Sequence, residues 1–137
     1  MNILLIDDDP LQLKAKRLRL EASGHGVRAA SGGAAALELA RAAPDDFDVI
    51  LSDVLMPGID GFALCEEIRA DERLRGIPIV LVSAHYSEPE DLALAASLGA
   101  SAFVLASSLE ASLEDALAQA LARRAPEPMG DAASWTE

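Results

Sequence analysis

Ile3-Leu4-Leu5-Ile6-Asp7-Asp8-Asp9-Pro10 joins an unbroken aliphatic run to three acids and a proline. Four consecutive aliphatic residues suit a strand buried on both faces, because a half-exposed strand alternates apolar with polar. Three acids follow directly, and then a proline, whose missing N–H is no loss in the first turn of a helix. A buried strand running straight into a helix is the opening of a βα unit. The helix is expected from Pro10 to Ala22, with Gly24 just past its end. Four more short runs repeat the strand signal: Gly26-Val27-Arg28-Ala29, Phe47-Asp48-Val49-Ile50-Leu51, Ile77-Pro78-Ile79-Val80-Leu81-Val82 and Ala102-Phe103-Val104-Leu105. Stretches of helical spacing separate them, the pattern of a parallel sheet with crossover helices. The last stretch has Leu109, Leu113, Leu117 and Leu121 at intervals of four, behind a Ser107-Ser108-Leu109-Glu110 capping box. After Ala125 the periodicity stops, so residues 1–124 are read as one domain and 125–137 as a C-terminal tail or linker.

Composition excludes several functions. The chain of 137 residues has 23 acidic residues against 11 basic ones, a net charge of −12, so it repels polyanions and carries no nucleic-acid footprint. One cysteine cannot form an internal disulfide framework and suits a reducing compartment. No apolar run is long enough to cross a bilayer, and the N-terminus lacks the pattern of a signal peptide. The expectation is a cytoplasmic, acidic domain.

Two strands end in acid, at Asp7-Asp8 and at Asp53. In a parallel sheet all C-terminal strand ends share one edge, where ligands bind beside the strand at which the order reverses. If the first and third strands are neighbours, these carboxylates converge, and clustered carboxylates need a counter-charge to stay ionised. Oxygen ligands of this kind suit Mg²⁺. Asp9, just before Pro10, is read as the cap of the first helix, and Asp60 as the cap of the third. Cys65 falls at core spacing between Phe62 and Ile68, and His25 is read as structural or exposed.

Together these residues resemble the receiver domain of two-component response regulators, over roughly residues 2 to 122. Asp7-Asp8 resembles its acidic pair, Asp53-Val54-Leu55-Met56-Pro57-Gly58-Ile59-Asp60-Gly61 its phosphoacceptor segment, Val82-Ser83-Ala84 its hydroxyl-bearing fourth strand, and Leu98-Gly99-Ala100-Ser101-Ala102-Phe103 the approach to strand five. The resemblance implies a flavodoxin-like (βα)5 fold with strand order 2-1-3-4-5, two helices on one face and three on the other. It implies a signalling module and not an enzyme: Asp53 accepts a phosphoryl group from a sensor histidine kinase or a phosphotransfer protein. Asp8, Asp53 and the main-chain carbonyl of Leu55 would ligate Mg²⁺, with Asp7 acting largely through water. Ser83 would hydrogen-bond a phosphoryl oxygen, Phe103 would be the switch aromatic, and output would pass through the face of helix four, strand five and helix five. His85 and Leu55 stand where the family flanks the phosphoryl group.

One position departs from the family. A lysine is expected just after strand five, and the alignment puts Ala106 and then Ser107 there. Only two of the basic residues are lysines, Lys14 and Lys16, both on the first helix, where neither is expected to take that place and both suit a docking kinase. The expectations that follow are an acid cluster left unpaired and hungry for a cation, and a weak switch on phosphorylation. The alternative is a pseudo-receiver that recognises its partner without phosphate. An independent Mg²⁺ phosphohydrolase, suggested by Asp7 and Asp9, lacks the distal lysine and the cap that such chemistry uses.

Overall fold

The computed structural model describes residues 1–83, 89–105 and 117–118. Five parallel strands, β1 (Asn2–Ile6), β2 (Gly26–Ala30), β3 (Val49–Asp53), β4 (Ile79–Ser83) and β5 (Ala102–Leu105), form one sheet in the order β2-β1-β3-β4-β5. Between them run α1 (Pro10–Ala22), α2 (Gly33–Ala42), α3 (Gly61–Ala70) and α4 (Pro89–Ser97). This is the flavodoxin-like arrangement expected from the sequence. The expected last helix, the C-terminal tail, His85, Ala106 and Ser107 lie outside the described residues, apart from Leu117 and Ala118.

Strand alternation sorts the core into two layers. Leu4, Ile6, Ile50, Ile79 and Leu81 face the side covered by α2, α3 and α4, where they meet Ala36, Leu37, Leu64, Cys65, Ile68 and Ala95. Ile3, Leu5, Val49, Leu51, Val80 and Val82 face the other side, where Leu20 of α1 and Leu117 cover them. β1, β3 and β4 are buried almost end to end, which is why they read as continuous aliphatic runs. β2 lies at the sheet edge and is half exposed, with Arg28 on its outer side paired to Asp46 at 3.1 Å.

Two strands begin two residues later than their apolar runs. β4 opens after Pro78, which has no N–H to donate to the ladder; its carbonyl instead accepts from the Ile50 N–H at 2.8 Å. β3 runs past the aliphatic residues into Ser52 and Asp53, because Ile6 and Val82 pair with them on either side. Phe47 remains buried outside the strand, with the Arg28 guanidinium 5.2 Å from its ring centre.

The helix ends follow their local chemistry. Asp9 accepts from the N–H groups of Leu11 and Gln12, and Asp60 accepts from that of Ala63 at 2.8 Å, the two caps expected. After α1 the chain turns at Gly24, whose φ of 94° favours glycine. Arg69 gives a feature the sequence did not announce. From α3 its guanidinium donates to the carbonyl of Gly99 at 2.7 and 3.0 Å, of Arg75 at 2.8 Å and of Ile77 at 2.7 Å. It thereby ties the loops that lead into β4 and β5 at the edge opposite the acids.

Candidate functional site

The same alternation that builds the core aims the acids. Ile3 and Leu5 face α1, so the next residue in that phase, Asp7, points to the α1 side; Val49 and Leu51 do the same for Asp53. β1 and β3 are neighbours, with Ile6 paired to Ser52, so the two aspartates leave adjacent strands one step further on. Carboxylate oxygens of Asp7, Asp8 and Asp53 all lie within 4.8 Å of one another. Asp7 is buried, Asp53 half-buried and Asp8 exposed, so the cluster opens to solvent on one side.

The chain beyond Asp53 folds back over the site. The Gly61 N–H donates to the Val54 carbonyl at 2.8 Å, and a side chain at Gly61 would meet the Asp53 carbonyl oxygen at 2.8 Å and the Val54 Cα at 2.9 Å. That approach requires a glycine at the first residue of α3. Val54 in turn donates to the Val82 carbonyl at 2.9 Å, binding the exits of β3 and β4 together.

Electrostatics within the cluster are strained in one sense and relieved in another. Burial, and then the charge of Asp7, hold the Asp53 carboxyl above its usual range; Asp8 adds to this, while Lys16 and a hydrogen bond from the Val54 N–H act against it. Lys16 departs from the expectation for the first helix. Its ammonium donates to Asp7 Oδ2 at 2.8 Å, from a side chain only 14% exposed to one 3% exposed. The expectation of an unpaired acid cluster, with both lysines of α1 out of reach, is therefore corrected: Asp7 is paired. The signal was present in the helix phase. Leu13, Lys16 and Leu20 follow one another at spacings of three and four, so they share the inward face of α1, and only Lys16 among them is polar. Lys14, by contrast, is exposed. Asp7 Oδ1 is also engaged, accepting from the Asp9 N–H at 3.0 Å.

The remaining candidates sit around this centre. Ser83 ends β4 at the same sheet edge and is half-buried. Phe103, opposite Leu81 on β5, packs against the core on the α2–α4 side, the face away from Lys16. Leu55 lies on the loop after β3 with its side chain 61% exposed. As a donor set, three carboxylates with one open side fit a hard divalent cation such as Mg²⁺, which keeps several waters.

Comparison with known proteins agrees with this arrangement. The response regulator receiver domain family matches residues 3–118. The response regulator PleD of Caulobacter vibrioides is 42% identical over 82 residues, 60% of this chain and 18% of PleD. Protein PilH of Pseudomonas aeruginosa is 33% identical over 88 residues, 64% of this chain and 71% of PilH. The chain therefore spans under a fifth of PleD but most of PilH. Among solved structures, the signal receiver domain of a signal transduction histidine kinase from Syntrophus aciditrophicus superposes with a TM-score of 0.76 at 30% identity, covering 88% of this chain and 89% of that one.

Proposed function

The chain belongs to the response regulator receiver domain family, and on that premise we propose that it accepts a phosphoryl group on Asp53 in a two-component phosphorelay. The convergence of Asp7, Asp8 and Asp53 carries this reading, because it sets a nucleophilic carboxylate beside two further anions at the open edge of the sheet. A carboxylate oxygen of Asp53 attacks phosphorus as the P–N bond to the donor's histidine breaks. The new bond is P–O, and the bonding electron pair leaves with the ring nitrogen. Asp8, Asp53 and the main-chain carbonyl of Leu55 would hold Mg²⁺, and Asp7, with both oxygens already engaged by protein donors, would act through water. The metal, when bound, supplies charge neutralisation for the transferring oxygens.

Ser83 donates its hydroxyl to a phosphoryl oxygen, and Phe103 is the switch aromatic. The donor is a sensor histidine kinase or a phosphotransfer protein, the compartment the cytoplasm, and the output contact the face containing α4 and β5. With Ala106 in place of the family's lysine, the switch is weaker than usual.

The test is incubation with acetyl phosphate or phosphoramidate and Mg²⁺, followed by the intact mass. One added phosphoryl group that Asp53→Asn abolishes supports the reading. No gain in the wild type, even with the cognate kinase, leaves the pseudo-receiver that binds its partner without phosphate.

A further inference from the structure

Lys16 is an unusual residue for its place. It occupies the inward face of α1 between Leu13, which packs against the core, and Leu20, which is part of it, a position where an aliphatic residue would bury more comfortably. Its stem packs along that face and its ammonium emerges at the acids, 2.8 Å from Asp7 Oδ2. Asp7 and Asp53 oxygens are within 4.8 Å, and the alternation of β1 and β3 directs both carboxylates to the α1 side. A group attached to Asp53 therefore grows into the region that the Lys16 ammonium already borders. Four rotatable bonds let that ammonium swing without moving the helix.

We propose that Lys16 is the working cation of this pocket: it neutralises Asp7 at rest and turns to an oxygen of the phosphoryl group when Asp53 carries one. Among the described residues, the positive charge beside the acids comes from the first helix. The proposal rests on the phosphoacceptor reading for its second half only; the resting half concerns metal binding. At rest the ammonium on Asp7 lowers the negative potential that Asp8 and Asp53 offer a divalent cation beside it, so Lys16 sets how tightly metal is held. In the loaded state it supplies a charge-assisted hydrogen bond that a neutral hydroxyl such as Ser83 cannot match. No bond is made or broken by Lys16 itself. It favours the transfer to Asp53 by stabilising negative charge on the transferring oxygens.

The experiment compares wild type with Lys16→Met, which keeps the buried stem, Lys16→Arg, which restores the charge, and the exposed Lys14→Met. Each is checked for native circular dichroism and a cooperative melt. Mg²⁺ affinity is read by calorimetry, without any phosphodonor. Labelling by phosphoramidate, in which ammonia leaves as the P–N bond breaks, is read by intact mass at saturating Mg²⁺. Lys16→Met should bind Mg²⁺ about five- to tenfold more tightly, the effect of removing a cation a few ångströms from the ion in a partly solvated site. It should label about tenfold more slowly, for the loss of one charge-assisted contact. Lys16→Arg should recover labelling, and Lys14→Met should match wild type. A folded Lys16→Met protein with unchanged Mg²⁺ affinity, or with an unchanged labelling rate, overturns the proposal. If wild type itself takes no label, the phosphoacceptor reading fails, and the Mg²⁺ measurement alone decides the resting role of Lys16.

Discussion

Replacing Asp53 by asparagine should stabilise the metal-free protein. Asp53 brings a third negative charge to within 4.8 Å of Asp7 and Asp8. At an effective dielectric near 20, each such pair repels by about 3.5 kcal/mol before solvent is considered. Lys16 offsets most of the Asp7 contribution through its 2.8 Å contact, and Asp8 is exposed, so its contribution is strongly screened. The net gain from Asp53→Asn is then about 1–2 kcal/mol at low ionic strength. The sign in pH follows from the direction of the shift. The Asp53 carboxyl is raised above its ordinary value, so the folded state holds that proton more tightly than the unfolded chain. Stability linked to it is fully present below the unfolded value of about 3.9 and is lost as pH rises through the folded value. The advantage of asparagine should accordingly be largest near neutral pH and vanish toward about pH 4 and below. Urea denaturation followed by circular dichroism, with chelator and little salt, measures it. Millimolar Mg²⁺ should shrink or reverse the difference, since the ion binds the native carboxylates and not the unfolded chain. An asparagine variant no more stable than wild type under chelator near neutral pH would refute the charge argument.

Three further outcomes rest on single contacts. Arg69→Met should lose about 3 kcal/mol, because three carbonyls lose a charged donor, and the melt should fall by about 10 °C. Arg69→Lys should recover less than half of this, lacking the fork, and a denaturation midpoint equal to wild type would remove Arg69 as a tie between loops. Gly61→Ala forces a methyl to within 2.8 Å of the Asp53 carbonyl oxygen, a backbone atom that cannot step aside. It should cost about 1–3 kcal/mol and slow phosphoryl labelling, as paired denaturation and mass measurements would reveal. Cys65 is fully buried and its thiol is pushed up to about 12, so iodoacetamide should modify it only after unfolding, and rapid alkylation of the native protein would contradict its placement.

Much of this was legible in the chain because the signals are local. Ile3 to Ile6 is aliphatic without alternation because both faces of β1 are covered, and Pro10 and Asp9 begin α1 through bonds within three residues of each other. Asp60 caps α3 in the same way. The edges of β3 and β4 were less legible, since where a strand starts depends on which neighbour completes its ladder. Pro78 and Asp53 are decided by Ile50 and Val82, residues distant in sequence.

The order of hydrophobic periods, the caps and the acids at two strand ends determined the α/β class, the helix limits at α1 and the chemistry of the edge, because each depends on spacing within one element. What the tertiary structure alone decided is which charges meet. Lys16 and Asp7 are nine residues apart, and their contact needs the rotation of α1 about its axis, its docking on the sheet and the outward phase of β1 to agree. Arg69 reaches Gly99 across 30 residues on the same terms. A lysine count reads as a deficit along the chain; in three dimensions one of the two lysines stands at the acids.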